Sequence, residues 1–479
     1  MRRRKKASIT VFLSLLVVLF IGFIMAMTEH TRIAGLRQRL SSALDSAMDS
    51  LFSMYDRELL DEFDLMLLNE NELSDNKDPE MVLQEYLTKN INSKPDHLLL
   101  SGNLYRAVDC SAEVENTVSV IENEGELFAR SVLEFMKYRT LGIAIDKVQE
   151  QLDDLKKGDA AQKEAENEKK QDKENFDEAF SEKTKDDKEQ YDKTLDESWL
   201  EKIEKLREDG WLNFVLPFDQ VASAYEVTAG DLPSKWRTVN FTWYHSAIGE
   251  IEESFLFTEY LLEHCRCFTS PAKTKQMAYE LEYILNGKTT DKENLKATVN
   301  SLLLLREGMN LFSAMKDQVL SSQAEAAATA LVGWTGVYPA VKLTQFAMLT
   351  GWSFAESIVD VRTLLSGGHI PIIKNAQSWT LSLSQIADFL DGDLLLTAKD
   401  QDGLAYDEYL RLLLYAQGRS DRRYRTMDVI QLRIREKNPD FSMADCIGAV
   451  EASAKMNASP IFYNFGSNYE LSCEQSRMY

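Results

Sequence analysis

The sequence predicts a helix-rich α+β protein with one N-terminal transmembrane helix. Three observations lead to this prediction. Residues 9–27 form an apolar run without charge behind a basic N-terminus, and apolar residues recur at helical spacing along most of the chain. A few short segments, near residues 98–120 and 446–465, alternate between apolar and polar residues. These patterns predict a membrane-spanning helix, further helices and short antiparallel strands, respectively.

The apolar run has the length of a membrane-spanning helix. Its predicted anchor residues include Ile9, Phe12, Leu16, Phe20 and Met27. About 20 helical residues cross the hydrocarbon core of a bilayer. A cleaved secretory signal would have a shorter apolar core, of roughly 7–15 residues, and a small-x-small cleavage site. Residues 26–30 read Ala-Met-Thr-Glu-His and match such a site poorly, so the sequence favours a retained anchor over a cleaved signal.

The basic residues on the two sides of the run predict its orientation. Five of them precede it without interruption: Arg2, Arg3, Arg4, Lys5 and Lys6. Arg32, Arg37 and Arg39 follow the run but are more widely spaced. Because Lys and Arg are retained on the cytoplasmic side of a membrane, we expect residues 1–8 to be a cytoplasmic segment. The part after residue 27 is then extracytoplasmic, in a single-pass protein of the cell membrane.

An amphipathic stalk helix is predicted over residues 28–70, continuing the transmembrane helix. Its apolar stripe includes Ile33, Leu36, Leu40, Leu44, Ala47 and Leu51. The stripe advances in steps of three and four residues without a proline, as one face of a helix does. The opposite face is polar, so the stripe needs a packing partner.

The first part of the ectodomain is predicted over residues 71–148. Residues 98–120 read as two short strands around turn-prone residues. A helix is expected after Gly125, where apolar residues again follow helical spacing.

A charged segment, residues 149–209, separates this part from the next. It is dense in Lys, Glu and Asp and contains no proline. With few apolar residues to form a core, it is either a solvated helical hairpin or a disordered linker. We favour a projecting, coiled-coil-like helical insertion.

The main helix-rich part of the ectodomain is predicted over residues 210–479. Thr290-Asp-Lys-Glu is a capping box that opens a helix, and another helix is expected from Tyr406. Residues 446–456 and 461–465 predict a closing pair of antiparallel strands.

The apolar stretch over residues 326–361 raises the alternative of a second membrane span. Five residues interrupt it: Pro339, Lys342, Gln345, Glu356 and Asp360. Uncovered charges are costly inside a bilayer, so we expect buried core helices here.

The composition excludes some functions. The net charge of −23 argues against binding to nucleic acid, whose phosphates an acidic surface repels. Five cysteines are too few for a disulfide scaffold at this length, although Cys446 and Cys473 could pair outside the cytoplasm. Residues 264–267, His-Cys-Arg-Cys, invite a zinc interpretation, but no second Cys/His pair completes four ligands.

No catalytic constellation is present in the sequence. It contains no G-x-S-x-G elbow, no G-x-x-x-x-G-K-[ST] phosphate loop and no H-E-x-x-H motif, and only five histidines. We therefore expect a protein that is not an enzyme, with no catalytic residues, no bound metal and no cofactor.

The N-terminal region carries a family resemblance. Residues 7–15, Ala-Ser-Ile-Thr-Val-Phe-Leu-Ser-Leu, lead into the apolar run, and residues 40–56 are rich in Ala, Asp and Ser. This arrangement resembles the amino-terminal module of TadE/TadG-like proteins of tight-adherence (Flp-type) pili.

Five further blocks, at residues 135–139, 279–288, 303–310, 355–362 and 403–414, extend the resemblance. They are similar to an uncharacterised family of large TadE/TadG-like membrane proteins from Gram-positive, clostridia-type bacteria. The candidate residues in these blocks are Tyr279, Glu280, Glu282, Tyr283, Gly287, Arg306, Asn310, Glu356, Asp360, Arg362, Tyr406 and Tyr409. The apolar members of the blocks are expected in the core. The charged ones are either interaction residues or partners in buried ion pairs, and we hypothesise a cross-helix pair between Arg306 and the segment 356–360.

The resemblance implies a role at the pilus or its secretion machine. The implied partners are the lipid bilayer and other pilin-like or secretion-platform proteins, in a homo- or hetero-oligomer. The stripe from Ile33 onward would then pack against neighbouring subunits. One departure is Phe12, which occupies the position of the type IV pilin Glu if processing occurs after Ala7. The alternative function is a membrane-tethered binding or sensory ectodomain in which the charged insertion contacts cell-surface partners.

Overall fold

The computed structural model describes the chain in the following ranges: 5–73, 78–92, 107–137, 139, 145–181, 185–196, 198–209, 212–216, 221–237, 250–271, 276–392, 396–398, 402–462 and 468–479. Its contacts divide the chain into two units. Unit 1 comprises Met1–Phe135, Leu232–Ala247 and Ile430–Tyr479, and unit 2 comprises Met136–Asp231 and Ile248–Val429. Unit 1 therefore joins the two ends of the chain.

The N-terminal helix α1 (Lys5–Phe52) is continuous over 48 residues. Its apolar segment has a mean hydropathy of 2.9, and none of it is buried in the protein. Ile9, Phe12, Phe20 and Met27 are more than half exposed. In the described residues this is the helix that is long and apolar enough to cross a membrane, as an anchor or a signal sequence does. Arg2, Arg3 and Arg4, which predicted the orientation, lie outside the described residues.

The second half of α1 packs inside unit 1. Leu36, Leu40, Leu44, Ala47 and Leu51 of the predicted stripe are fully buried, and Ile33 packs at the edge of the same core. The stripe contacts α3 (Pro79–Asn92) and the sheet of unit 1. It is therefore covered by its own chain, which corrects the expectation that it packs against neighbouring subunits.

The sheet of unit 1 is built around strand β3 (Cys446–Ala458). Strand β2 (Asp109–Ser119) pairs with one edge of β3, and β1 (Leu68–Asn69) and β4 (Tyr469–Met478) pair with the other, all antiparallel. Most residues of β3 are buried, and four are alanines, which allow close approach of α1, while α3 packs on α1 and β2. The short helix α2 (Arg57–Phe63) connects α1 to β1.

The predicted C-terminal pair of antiparallel strands is present, but its second member is misplaced. Residues 461 and 462 form a bend, residues 463–467 are outside the described ranges, and the strand runs over residues 469–478. The sequence of that strand alternates weakly because its inner face carries Gln475 and Arg477 as well as Leu471 and Cys473. Of the two strands expected within residues 98–120, the structure has β2, and residues 98–106 are not described. The helix expected after Gly125 is α4 (Glu126–Lys137).

Unit 2 is helical. After the charged segment its helices are α8 (Leu212–Val215), α9 (Glu250–His264), α10 (Glu280–Asn286), α11 (Asp291–Lys316), α12 (Gln318–Val332), α13 (Tyr338–Leu365), α14 (Ile386–Leu390), α15 (Tyr406–Ala416) and α16 (Arg419–Ile434), the last of which ends in unit 1. The Thr290 hydroxyl accepts from the Glu293 amide at 3.2 Å, so the predicted cap opens α11. The helix expected from Tyr406 is α15.

Helices α11 and α13 form the centre of unit 2. Every residue of α13 from Gly351 to Val361 is buried in the protein. The prediction of buried core helices, instead of a second span, is confirmed for residues 351–361, whereas residues 326–350 are only partly buried; among the described helices α1 is the candidate span. Glu356 and Asp360 lie in this most buried part, where a charge needs a partner.

The charged segment forms α5 (Ile145–Ser181), α6 (Lys185–Asp196) and α7 (Trp199–Asp209). It is helical, as predicted, but it packs along α11 and α13 and does not project. Phe176 and Tyr191 are buried against α12 and α13, and the Tyr191 hydroxyl lies 3.1 Å from that of Thr344. The few apolar side chains are far apart in sequence, yet the helices place them on one side.

The burial of the α1 stripe predicts a large effect for Leu44→Ala. The substitution removes apolar contacts and leaves a cavity under the sheet, so it should lower the free energy of unfolding of the full-length chain by about 2–4 kcal/mol. Chemical denaturation in detergent measures it. The control is Met81→Ala, on α3, whose side chain is 54% exposed and should change stability by less than about 0.5 kcal/mol. Equal, small effects of the two substitutions would contradict the burial of the stripe.

Candidate functional site

A buried guanidinium lies at the centre of unit 2. Arg306, on α11, is fully buried, and its Nε donates to Asp360 Oδ2 of α13 at 3.0 Å. Its Nη2 donates to Asn310 at 2.8 Å and lies 3.0 Å from the same Asp360 oxygen. Asn310 also donates to Asp360 Oδ2, at 2.8 Å. The hypothesised cross-helix pair between Arg306 and the segment 356–360 is thus confirmed.

The remaining donors of Arg306 hold a segment that crosses the two helices. Nη1 lies 2.9 Å from the carbonyl oxygens of Pro371 and Ile372 and 3.0 Å from the Tyr409 hydroxyl. Tyr409, on α15, donates in turn to the carbonyl of Ile370 at 3.1 Å. Residues 370–381, which we call the strap, are therefore bonded to α11 and α15 through one side chain.

A close backbone contact fixes the start of the strap. Ile370 and Leu404 exchange two backbone hydrogen bonds of 3.0 and 2.9 Å. A Cβ atom at Gly403 would lie 2.2 Å from the carbonyl carbon of Ile370. Glycine is required at this position because no side chain fits between the two backbones.

Lys374 brings a second cation from the strap into the core. Its Nζ lies 2.5 Å from Glu356 Oε1 and 2.5 Å from Asp360 Oδ1. The two oxygens of Glu356 also accept the backbone amides of Thr380 and Leu381, each at 2.8 Å. Two cations and two carboxylates thus form a neutral group, which we call the tetrad: Arg306, Glu356, Asp360 and Lys374.

The tetrad is enclosed, since all four side chains are fully buried. Burial alone would raise the pKa of Asp360, but Lys374 and Arg306 hold it below its usual value. Burial raises the pKa of Glu356 in spite of Lys374. Burial also raises the pKa of Tyr409, to about 12, so the hydroxyl stays protonated. The arrangement joins α11, α13, α15 and the strap, and its atoms are out of reach of a substrate.

Lys374 was missed by the sequence analysis. It follows the apolar run Ile370-Pro-Ile-Ile in a segment without helical or strand periodicity. A charge imbalance could have revealed it, because two acidic residues of a buried helix had been matched with one arginine. A second cation was needed to neutralise the pair.

Removing Lys374 should strongly destabilise unit 2. Lys374→Met leaves two fully buried carboxylates with one cation, so the free energy of unfolding should fall by about 3–5 kcal/mol. Chemical denaturation of the full-length chain in detergent measures the loss.

The matched control for this prediction is Lys202→Met. Lys202 pairs with Asp391, both about half exposed, and should contribute no more than about 1 kcal/mol. The double variant Glu356→Gln/Lys374→Met should cost less than the sum of its single changes, because it keeps the charges balanced. Strict additivity, or equal losses at Lys374 and Lys202, would show that the tetrad is not coupled.

A second buried cluster forms around helix α10. The Glu280 carboxylate accepts the amide of Arg266 at 2.8 Å, and Glu282 Oε1 accepts the amide of Phe268 at 2.8 Å. Tyr406 donates to the same Glu282 oxygen at 2.8 Å. Glu280 and Glu282 thus bind the backbone of the turn after α9, and Tyr406 connects α15 to Glu282.

Two tyrosines complete this cluster. The Tyr279 hydroxyl accepts the amide of Ser223 at 3.0 Å, and Tyr283 donates to Asp428 at 2.8 Å. Both tyrosines are buried, as predicted for the core.

Glu282 is a buried carboxyl held by neutral donors. Among the described residues its Oε2 has no hydrogen-bond partner. Burial raises the pKa of Glu282 to about 7, against the lowering effect of the Phe268 amide and the Tyr406 hydroxyl. The side chain therefore changes charge near neutral pH.

The raised pKa of Glu282 predicts a pH-dependent stability. Because the folded-state pKa, about 7, is above the ordinary value of 4.5, the protonated side chain favours the folded state. This contribution is fully present below pH 4.5 and is lost as the pH rises through 7, with a total on the order of 3 kcal/mol. Unfolding of the full-length chain, measured at intervals from pH 4.5 to 8, tests it.

Glu282→Gln should remove this pH dependence, because a neutral amide still accepts from Phe268. Glu113→Gln, at an exposed position of unit 1, should leave the profile unchanged. Identical pH profiles for Glu282→Gln and the unmodified chain would contradict the raised pKa.

Gly287 is favoured by the way in which α10 ends. This residue caps the helix with a φ of 63°, in the left-handed region that favours glycine. Arg425 donates to the carbonyls of Ile284 and Leu285, at 3.0 and 2.7 Å, and satisfies the last turn of the helix. A Cβ at Gly287 would lie 2.6 Å from the Arg425 Nε, so the glycine also makes room for the cap.

Both buried clusters lie within a region that matches a known family. Residues 188–458, more than half of the chain, match a family of unknown function (DUF5702). The chain belongs to this family. No curated protein and no solved structure matches the chain.

The DUF5702 region contains the tetrad, the α10 cluster and β3, whereas α1 and β4 lie outside it. The candidate residues from Tyr279 to Tyr409 thus make contacts within the DUF5702 region. Arg362 does not join the tetrad, although it is two residues from Asp360. It lies on another side of α13, donates to the carbonyl of Phe214 at 2.9 Å, and packs over the rings of Phe214 and Phe389.

The proposed disulfide between Cys446 and Cys473 is wrong. Cys473 pairs with Ala454 in the register of β3 and β4, eight residues along β3 from Cys446. At about 3.3 Å per residue the two cysteines are some 26 Å apart, and a disulfide needs Cα atoms within about 7 Å. Cys446 is fully buried beside β1.

The segment 264–267 contributes to packing. His264 stacks on Tyr260, with ring centroids 4.3 Å apart, and the Cys267 sulfur lies 3.3 Å from the hydroxyls of Thr269 and Ser270. Within the described ranges, no group of three His, Cys, Asp or Glu side chains could hold a metal ion.

Proposed function

We propose that this DUF5702 protein is a non-enzymatic, membrane-anchored pilus-assembly or minor-pilin-like protein of a tight-adherence system. Its N-terminus is cytoplasmic, and the part of the chain after residue 27 lies outside the cytoplasm. The observation that carries the proposal is the division of α1 into an uncovered apolar half and a half packed on its own sheet. In a subunit of this form the second half of α1 is fixed to the sheet, while the first half is free to pack against helices of other subunits.

The length of the uncovered part supports a transmembrane role. Residues 9–27 rise about 28 Å as a helix, and the hydrocarbon core of a bilayer is about 30 Å thick. The first buried residue of α1 is Glu29, so cover by the protein begins where the apolar run ends.

The same division changes the expected assembly contact. Because Leu36 to Leu51 are buried in unit 1, neighbouring subunits would contact the uncovered face around Phe12, Leu16 and Phe20. Side chains there would pack helix to helix inside the membrane, where van der Waals contacts drive association.

The arrangement of the charged groups in unit 2 supports a non-enzymatic role. The tetrad is neutral and enclosed, and its groups are engaged with one another and with backbone amides and carbonyls. A catalytic group would instead face a pocket that a substrate can enter.

The test is a strain from which the protein is deleted, complemented in turn with variants. Deletion should abolish surface pili in the sheared fraction, and the unmodified chain should restore them. Phe12→Ala/Phe20→Ala should reach the membrane in normal amount, because it adds no charge, but should restore several-fold fewer pili because it removes packing volume. Immunoblots of membranes and electron microscopy of sheared pili measure the two quantities.

The control for this experiment is Met66→Ala/Met81→Ala, at two exposed positions of unit 1, which should complement fully. A deletion strain with normal pili and normal adhesion would contradict the proposed function.

One observation favours the second candidate, a membrane-tethered binding ectodomain. A cleft of about 800 Å³ lies between α5, α11 and α15 and is lined largely by leucines, among them Leu152, Leu304, Leu305 and Leu412. Its apolar lining with a few charged groups at the rim is typical of ligand pockets. In the same strain, Leu304→Arg discriminates the two functions, since Leu304 is 58% exposed and tolerates a charge. An assembly protein should still restore pili, whereas a binding protein should lose its function.

A further inference from the structure

The turn that begins after β3, described over residues 459–462, lies next to the end of the uncovered segment of α1. Strand β4 runs alongside α1 in the same direction, since Gln475 donates to Ser41 at 3.2 Å and Tyr479 donates to the Phe52 carbonyl at 2.7 Å. The start of β4 and the end of β3, which pair at Tyr469 and Ala458, are therefore at the end of unit 1 nearest the apolar run.

Glu29 of α1 holds Ile461 beside the helix. This residue is 3% exposed and accepts from Arg32 at 2.8 Å and from the amide of Ile461 at 3.4 Å. Glu29 is two residues beyond Met27, which is about 3 Å along a helix. The amide of Ile461 thus lies at the level where the apolar run ends.

Two apolar side chains of the turn are exposed at this level. Ile461 is 45% exposed and Phe462 is 39% exposed. Glu29 and Arg32, the nearest charges on α1, form a buried ion pair and neutralise each other. Aromatic and apolar side chains are favoured at the boundary between hydrocarbon and head groups.

We propose that Ile461 and Phe462 insert into the interface of the same membrane that α1 spans. The partner is the lipid surface itself, and the contact extends the uncovered apolar surface of α1. This inference rests on the proposed membrane anchoring. A single helix would leave the tilt of residues 29–135 relative to the membrane unconstrained, and the second contact limits this tilt.

Photo-crosslinking of the full-length chain in phosphatidylcholine nanodiscs tests the proposal. The photoreactive residue p-benzoylphenylalanine is placed in separate variants at Phe462, Phe20 and Met66, and mass spectrometry counts lipid adducts. Met66 is the matched control because its side chain is 49% exposed and lies far from the apolar run. The neighbouring Leu67 carbonyl accepts from the amide of Asp56, which follows the C-terminal end of α1. Phe52 is already about 37 Å beyond Met27 along the helix.

The proposal predicts adducts at positions 462 and 20, with a yield at position 462 at least about fivefold above that at position 66. Adducts at position 20 with none at position 462 would overturn the interfacial contact and leave the membrane anchor intact. Equal yields at positions 462 and 66 would also overturn it. The absence of adducts at position 20 would overturn the anchor of the proposed function and the turn contact with it.

Discussion

The structure of unit 1 depends on one helix whose two halves have different surroundings. The first half of α1 is apolar on every side, and the second half is apolar only along the stripe that ends at Leu51. The change occurs at Glu29 and Arg32, whose ion pair is buried where cover by the protein begins. Everything else in unit 1 supports this division, since α3 and the alanine-rich strand β3 cover the stripe and no described element covers the apolar run.

Unit 2 depends on a different constraint, the neutralisation of charge inside a helical core. Arg306 and Lys374 face Glu356 and Asp360 without access to water. Buried ion pairs contribute little net stability, but losing one partner is costly, so they select one arrangement of the surrounding elements. Here the tetrad determines where the strap crosses α11 and α13. The match to DUF5702 includes this group, whereas α1 lies outside the match.

Part of this fold could be predicted from sequence because its signals are local. The apolar run and the stripe from Ile33 follow from the spacing of apolar residues, and the cap at Thr290 follows from a local motif. The acidic pair of α13 stands out as charges in an apolar segment. The unbalanced acidic pair of α13 indicated that a second cation was needed, but it did not point to Lys374, which lies in an irregular segment. The packing of α5 to α7 on α11 and α13, and of β4 beside α1, depends on tertiary contacts. Few apolar residues in these elements indicate such contacts in the sequence.

The central claim is that α1 remains attached as a membrane anchor, and the intact mass of the membrane-extracted protein tests it most directly. The account predicts a mass that includes residues 9–27, whether or not the first seven residues are removed. A mass that begins near Thr28 would contradict it. In that case the apolar run is a cleaved signal, and no other helix in the described part of unit 1 is long and apolar enough to cross the bilayer.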